Sequence, residues 1–216
     1  MKLKLIPIAA ALVLAVALPA QAALTNSVSA IAAPSSVVDF EDFDGLFTTG
    51  PVVVAPGLVF TGDQGSVLGA FIADLGDNGL WGLGNKFAAS DFIGEMRFTF
   101  DGGLVSRGAG ALVNHFALSS LPFAVVISAY GVNNQIIETH TVMVDTAFDS
   151  ENEGLFLGIV RPQADIRSIS FKGNGVVLDN LSFTSPVPEP GAWAMMAFGL
   201  AAVGAVARRR AARRQA

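Results

Sequence analysis

The sequence predicts an all-β domain, a jelly-roll-like β-sandwich, flanked by an N-terminal signal peptide and a C-terminal transmembrane helix. Three observations carry the β expectation. Eight short stretches between residues 57 and 183 are rich in apolar and β-branched residues, several alternating with polar ones. Turn chemistry punctuates them, as in Asp101-Gly102-Gly103, Gly131-Val132-Asn133-Asn134 and Gly173-Asn174-Gly175. No stretch of the middle shows an amphipathic helical period, and many short strands without helices are the pattern of a sandwich.

In chain order the first element is "MKLKLIPIAAALVLAVALPAQA". Lys2 and Lys4 precede an apolar run from Leu5 to Leu18, Pro19 breaks it, and Ala20-Gln21-Ala22 supplies an A-x-A exit. A charged start, an apolar run too short for a comfortable bilayer span and small residues at the exit make a signal peptide over 1–22, cut after Ala22. Export then passes through the Sec translocon. Residues 23–36, small and polar, read as a linker, and 37–186 as the sandwich.

The expected strands are 57–62, 94–100, 110–118, 123–131, 135–144, 154–160, 166–173 and 175–183. In 166–173, Ile166, Ser168 and Ser170 should share one face and Arg167, Ile169 and Phe171 the other. The Gly- and Asp-rich region 62–91 reads as long loops with short strands. The last element is the apolar run 191–207, about 26 Å long as a helix, the short end of a membrane span. Arg208, Arg209, Arg210, Arg213 and Arg214 follow it. Basic clusters stay cytoplasmic, so the tail reads as a stop-transfer anchor in the inner membrane with the body outside.

Charge narrows the function classes. The chain has thirteen Lys and Arg, but two lie in the first four residues and five in the last nine; all eighteen acidic residues except Glu189 lie between. Six bases against seventeen acids leave residues 23–187 at a net charge of about −11. Such a surface repels phosphate backbones, which argues against nucleic acid as a partner. The absence of cysteine excludes disulfides, thiolate zinc sites and Cys nucleophiles.

Just before the apolar run stand Val187, Pro188, Glu189 and Pro190. Two prolines around a carboxylate fit neither helix nor central strand and make an extended, accessible segment. V-P-E-P, a short span and an Arg cluster, in that order over 187–214, resemble the PEP-CTERM sorting signal of Gram-negative bacteria. The resemblance implies recognition and processing of the tail by an exosortase-like enzyme of the inner membrane, with passage of the protein to the cell surface or the extracellular polymer. More loosely, the closing run "IRSISFKGNGVVLDNLSF" is similar to the end of the exported domain in many such proteins. Neither likeness names the work of the middle.

Candidate sites in the middle each carry two readings. Carbohydrate-binding jelly rolls often tie first and last strands with calcium, which takes several oxygen ligands. Asp39, Glu41 and Asp179 are the candidates for such a structural Ca²⁺; the alternative is solvated charges and a local turn. An EF-hand reading of "DFEDFDG" fails, because Gly45 as the sixth position puts Phe40 first and Pro51 twelfth. Trp81, in the Gly-rich "DLGDNGLWGLGN", either stacks on a sugar ring or packs in the core. His115 and His140 sit inside expected strands without metal-ligand spacing. No G-x-S-x-G elbow, P-loop or dinucleotide loop is present. The expectation is a non-enzymatic surface or matrix protein whose sandwich binds extracellular polysaccharide. The alternatives are a secreted polysaccharide hydrolase, with paired carboxylates in a groove, and a calcium-dependent lectin-like adhesin.

Overall fold

A computed structural model describes residues 23–33, 35–119, 124–188, 191 and 195–204. The signal peptide (1–22), Glu189, Pro190 and the arginines at 208–214 lie outside the described residues. The first strands are β1 (Ala23–Thr25), β2 (Ser35–Val38), β3 (Leu46–Phe47), β4 (Val52–Ala55), β5 (Leu58–Thr61) and β6 (Val67–Ala70). Then come β7 (Ala73–Asp74), β8 (Leu80–Trp81), β9 (Phe87–Ala89), β10 (Gly94–Phe100), β11 (Leu104–Val105) and β12 (Gly108–Asn114). The last are β13 (Val125–Tyr130), β14 (Ile136–Val142), β15 (Leu155–Val160), β16 (Ser168–Gly173), β17 (Val177–Thr184) and β18 (Val187–Pro188). All eight expected strands are present: β10 keeps its expected bounds, β12 and β17 are shifted at their ends, and the others are shorter than expected.

One sheet runs β1-β15-β12-β17-β9-β6-β3, with β2 also on β17; the other runs β14-β13-β16-β10-β5-β4. Every pairing within the two sheets is antiparallel. A single buried cluster takes side chains from both, so the core lies between them. Phe100 of β10 meets Phe183 of β17 across that gap at 5.4 Å between ring centroids, and Phe98 lies between Phe40 and Phe60 at 6.1 and 5.4 Å. Strand β10 shows the alternation cleanly: Met96, Phe98 and Phe100 point inward and Glu95, Arg97 and Thr99 outward.

Strand β16 departs from the expected faces. Ile169 and Phe171 enter the core as foreseen, but Ser168 and Ser170 are buried too. Arg97 lies flat over the Tyr130 ring at 3.6 Å and its Nε donates to Ser168 Oγ, so the outer face of this central strand is covered. Ile166 joins the core despite its parity with the serines, because it precedes the strand and bridges Ser106 instead.

The stretch 23–36 is not a free linker. β1 pairs with β15, β2 pairs with β17, and Ile31 is buried between them in sequence. Its polar composition hid this, because edge pairing uses backbone groups that any residue supplies.

Antiparallel register sorts the turns into two ends. Turns 101–107, 131–135, 161–167 and 185–186 share the end from which the C-terminal tail leaves, called here the tail end. Turns 62–66, 71–79, 90–93, 115–119, 143–154 and 174–176 gather at the far end. Beyond the body, residues 195–204 are helical, and Met195, Met196, Phe198, Leu200 and Val203 are all exposed. Residues 192–194 and 205–207 of the expected 191–207 span lie outside the described residues; among the described residues no helix is long and apolar enough to cross a membrane.

Candidate functional site

The tail end is built around the exit of β17. After Thr184 the chain runs through Ser185 and Pro186 into β18, which lies antiparallel to β11 with Leu104 opposite Pro188 and Val105 opposite Val187. A proline has no N–H to donate, which confines it to edge positions such as this two-strand ribbon. The buried Ser106 hydroxyl sits 2.8 Å from the Thr184 carbonyl and 2.9 Å from that of Gly108, fixing where the tail departs. Arg167 Nη1 donates to the Leu104 carbonyl at 3.1 Å, holding the other side of β11.

Val187 and Pro188 are therefore extended and exposed, as the two-proline segment required. They are also held against the body, which sequence reasoning did not foresee. Beside them opens a cleft of about 300 Å³ lined by Val105, Val132, Gln135, Ile137, Asp165 and Gly191. Asp165 in its wall is gripped by Arg161 through two bonds of 2.6 and 2.7 Å, and Arg161 also faces Glu138 at 3.5 Å. The Asp165 hydrogen bond is the main reason the guanidinium holds its proton more tightly than usual.

The acidic corner expected to hold calcium is only half assembled. β2 and β17 do pair, placing Asp39 and Glu41 close enough to raise the Asp179 pKa. Each carboxylate is nevertheless spoken for by N–H donors. Asp179 accepts from Asn85 Nδ2 at 2.8 Å, the Asn180 amide at 2.6 Å and Asn180 Nδ2 at 3.1 Å; Glu41 accepts from the Lys86 amide at 2.8 Å. Donors aimed at an oxygen occupy the lone pairs a cation needs. Among the described residues no three acidic or histidine side chains are placed to hold a metal ion. The calcium reading of Asp39, Glu41 and Asp179 gains no support from this arrangement.

Asp179 makes a pH prediction. Burial is the first cause raising its pKa above the ordinary 3.8, the nearby Asp39 and Glu41 charges add to it, and the Asn85 and Asn180 bonds oppose it. The folded chain then keeps this proton where the unfolded chain has lost it. Stability falls as pH rises from about 3.8 through the raised value. Asp179→Asn removes the charge, so the difference in Tm between variant and wild type should grow in the variant's favour over that interval. Melting curves that stay parallel across it would contradict the assignment.

Trp81 is wholly buried, packs on Phe87 at 6.4 Å, and has only a glycine, Gly154, where a Cβ would come within 2.8 Å of its ring. With no exposed face it cannot stack on a sugar, and its role is in the smaller core cluster with Leu75, Phe87 and Val177. His115 is buried with Nδ1 3.0 Å from the Phe116 carbonyl, and His140 Nε2 meets Glu138 at 2.6 Å; they sit in separate surroundings.

Two far-end features escaped the sequence reading. One is a cleft of about 370 Å³ walled by Asp74, Leu80, Phe148, Asp149, Ser150 and Glu151, with the Phe148 side chain 78% exposed. The available signal was an aromatic set among acids in "DTAFDSENEG". The other is buried Asn78, whose Nδ2 donates to the carbonyls of His115 and Val144, each at 3.0 Å, while its Oδ1 accepts from the Thr146 amide at 3.1 Å.

Residues 186–211 match the family model of the PEP-CTERM protein-sorting motif. No curated protein and no solved structure matches the chain. The match begins two residues after β17 ends and takes in β18, so the chain carries the motif directly on the exit just described. The motif supports export and processing by an exosortase-like sorting enzyme.

Proposed function

We propose that this chain is an exported surface or extracellular-matrix protein, delivered by a cleaved signal peptide, held for a time in the inner membrane by 191–207, and released to the surface when its tail is processed. The observation that carries the reading is the PEP-CTERM motif placed immediately after the last body strand. The exposed, all-apolar helical stretch 195–204 supports the anchor: a helix apolar all round has no stable place in water. The five arginines after it suit the cytoplasmic side.

The body is a jelly-roll-like sandwich acting without catalysis. The strand orders β15-β12-β17-β9 and β14-β13-β16-β10, with the chain crossing between the sheets from β12 to β13, β14 to β15, β15 to β16 and β16 to β17, support that description. We assign polysaccharide binding to the far-end cleft, where Phe148 offers an aromatic face and Asp74, Asp149 and Glu151 offer acceptors for hydroxyls. A neutral polymer fits best, because the acids repel an anionic one.

Cell fractionation tests the sorting half. In a strain lacking the sorting enzyme the chain should stay in the inner-membrane fraction and resist carbonate washing; in its presence the body should move to the surface or medium. An identical distribution in the two strains would sink this reading.

A further inference from the structure

We propose that the tail end of the body is a membrane-seating surface, resting on an anionic phospholipid bilayer with Val132 and Ile136 dipped into the interface, so that the acidic far end points outward. The inference rests on the reading of 191–207 as a membrane span and adds a fixed orientation of the body to it.

Four observations converge. Gly191, the first residue of the apolar run, lines the same cleft as Val132, Gln135 and Ile137, so the run starts inside the tail end rather than at the end of a tether. The pairing of β18 with β11 and the buried Ser106 hydroxyl leave little slack between body and run. At this end Val132, Ile136 and Val187 expose 41%, 57% and 46% of their surface, apolar groups that lipid would cover.

Charge completes the case. The tail-end turns carry Arg107, Arg161 and Arg167 against Asp101 and Asp165, and Glu138 beside them is paired to Arg161. The far-end turns carry Asp63, Asp74, Asp77, Asp91, Asp145, Asp149, Glu151 and Glu153 and no base, with Lys172 just inside β16. An anionic surface repels the second end and leaves the nearly neutral first end free to approach, within the reach of a Debye length. Charge and the attachment of the tail thus favour one orientation on such a membrane, while apolar side chains are exposed at both ends, Phe92 and Phe148 among them at the far end.

The absence of cysteine in the chain makes the test clean. Chain 23–216 with a single Val132→Cys, Ile136→Cys, Phe92→Cys, Phe148→Cys or Met196→Cys substitution is labelled with an environment-sensitive fluorophore. It is reconstituted in vesicles of equal parts phosphatidylethanolamine and phosphatidylglycerol, with and without lipid-borne quencher. Probes at 132, 136 and 196 should shift to the blue and be quenched, while probes at 92 and 148 keep their emission in water. Arg107→Gln and Arg167→Gln should each lower the seated fraction's equilibrium constant roughly fivefold. A quenched probe at 196 with unquenched probes at 132 and 136 would overturn the seat and leave the span standing. An unquenched probe at 196 would overturn both. Equal quenching of 132, 136, 92 and 148 would show a body without fixed orientation and also overturn the proposal.

Discussion

Asn78→Ala is expected to destabilise the body by about 4 kcal/mol, because it strips hydrogen-bond partners from two buried carbonyls and one half-buried amide at roughly 1–3 kcal/mol each. The groups are the His115 and Val144 carbonyls and the Thr146 amide, drawn from two turns far apart in sequence. The Asn78 carbonyl is as heavily used, taking Thr146 Oγ1 at 2.9 Å and Asn114 Nδ2 and Ser150 Oγ at 3.3 Å. Next to it Gly79 stands at φ +81°, where a Cβ would fall 2.4 Å from the Ser150 carbonyl. The far end is therefore pinned through one asparagine. Asn78→Asp separates shape from bonding: it keeps the volume but replaces the two-donor nitrogen by an oxygen facing two carbonyls, and should be as damaging as the alanine. Urea denaturation measures both. A loss below about 1 kcal/mol for either, within the range of an ordinary surface change, would mean that the three groups find other partners.

Glu189→Gln is expected to slow tail processing by about 10- to 100-fold, the cost of losing hydrogen bonds to one charged group at roughly 1.5–3 kcal/mol. The two prolines flanking it preset an extended backbone, so the carboxylate is the chemically distinctive group the motif offers. The check is a pulse–chase of precursor and processed chain in cells. The melting temperature of the purified variant should equal that of the wild type, which separates recognition from folding. Processing at the wild-type rate would remove Glu189 from the recognition set.

What was legible in the sequence follows a physical division. Long, half-buried strands such as β10 announce themselves, because one face meets the core and the other meets water. The V-P-E-P segment announces itself because proline restricts the backbone regardless of context. The short strands β1, β2, β11 and β18 did not: they exist through pairing with distant partners, and their composition says nothing of it. Trp81 shows the same limit from the other side. Glycines around an aromatic fit an open sugar platform as well as a tight cage, and only the packing of Gly154 against the ring decides for the cage. Asp39, Glu41 and Asp179 were rightly gathered by the strand pairing, yet the Asn85, Lys86 and Asn180 donors that satisfy two of them come from residues no carboxylate count includes. The orientation of the body at the membrane likewise needed the fold, since its eight far-end acids are scattered from Asp63 to Glu153.

The most direct measurement of the central claim is the mass of the C-terminal peptide of the protein recovered from the cell surface, in strains with and without the sorting enzyme. With the enzyme present, the peptide should end before Arg208 and lack the arginine cluster. A peptide running to Ala216 in both strains would contradict the account.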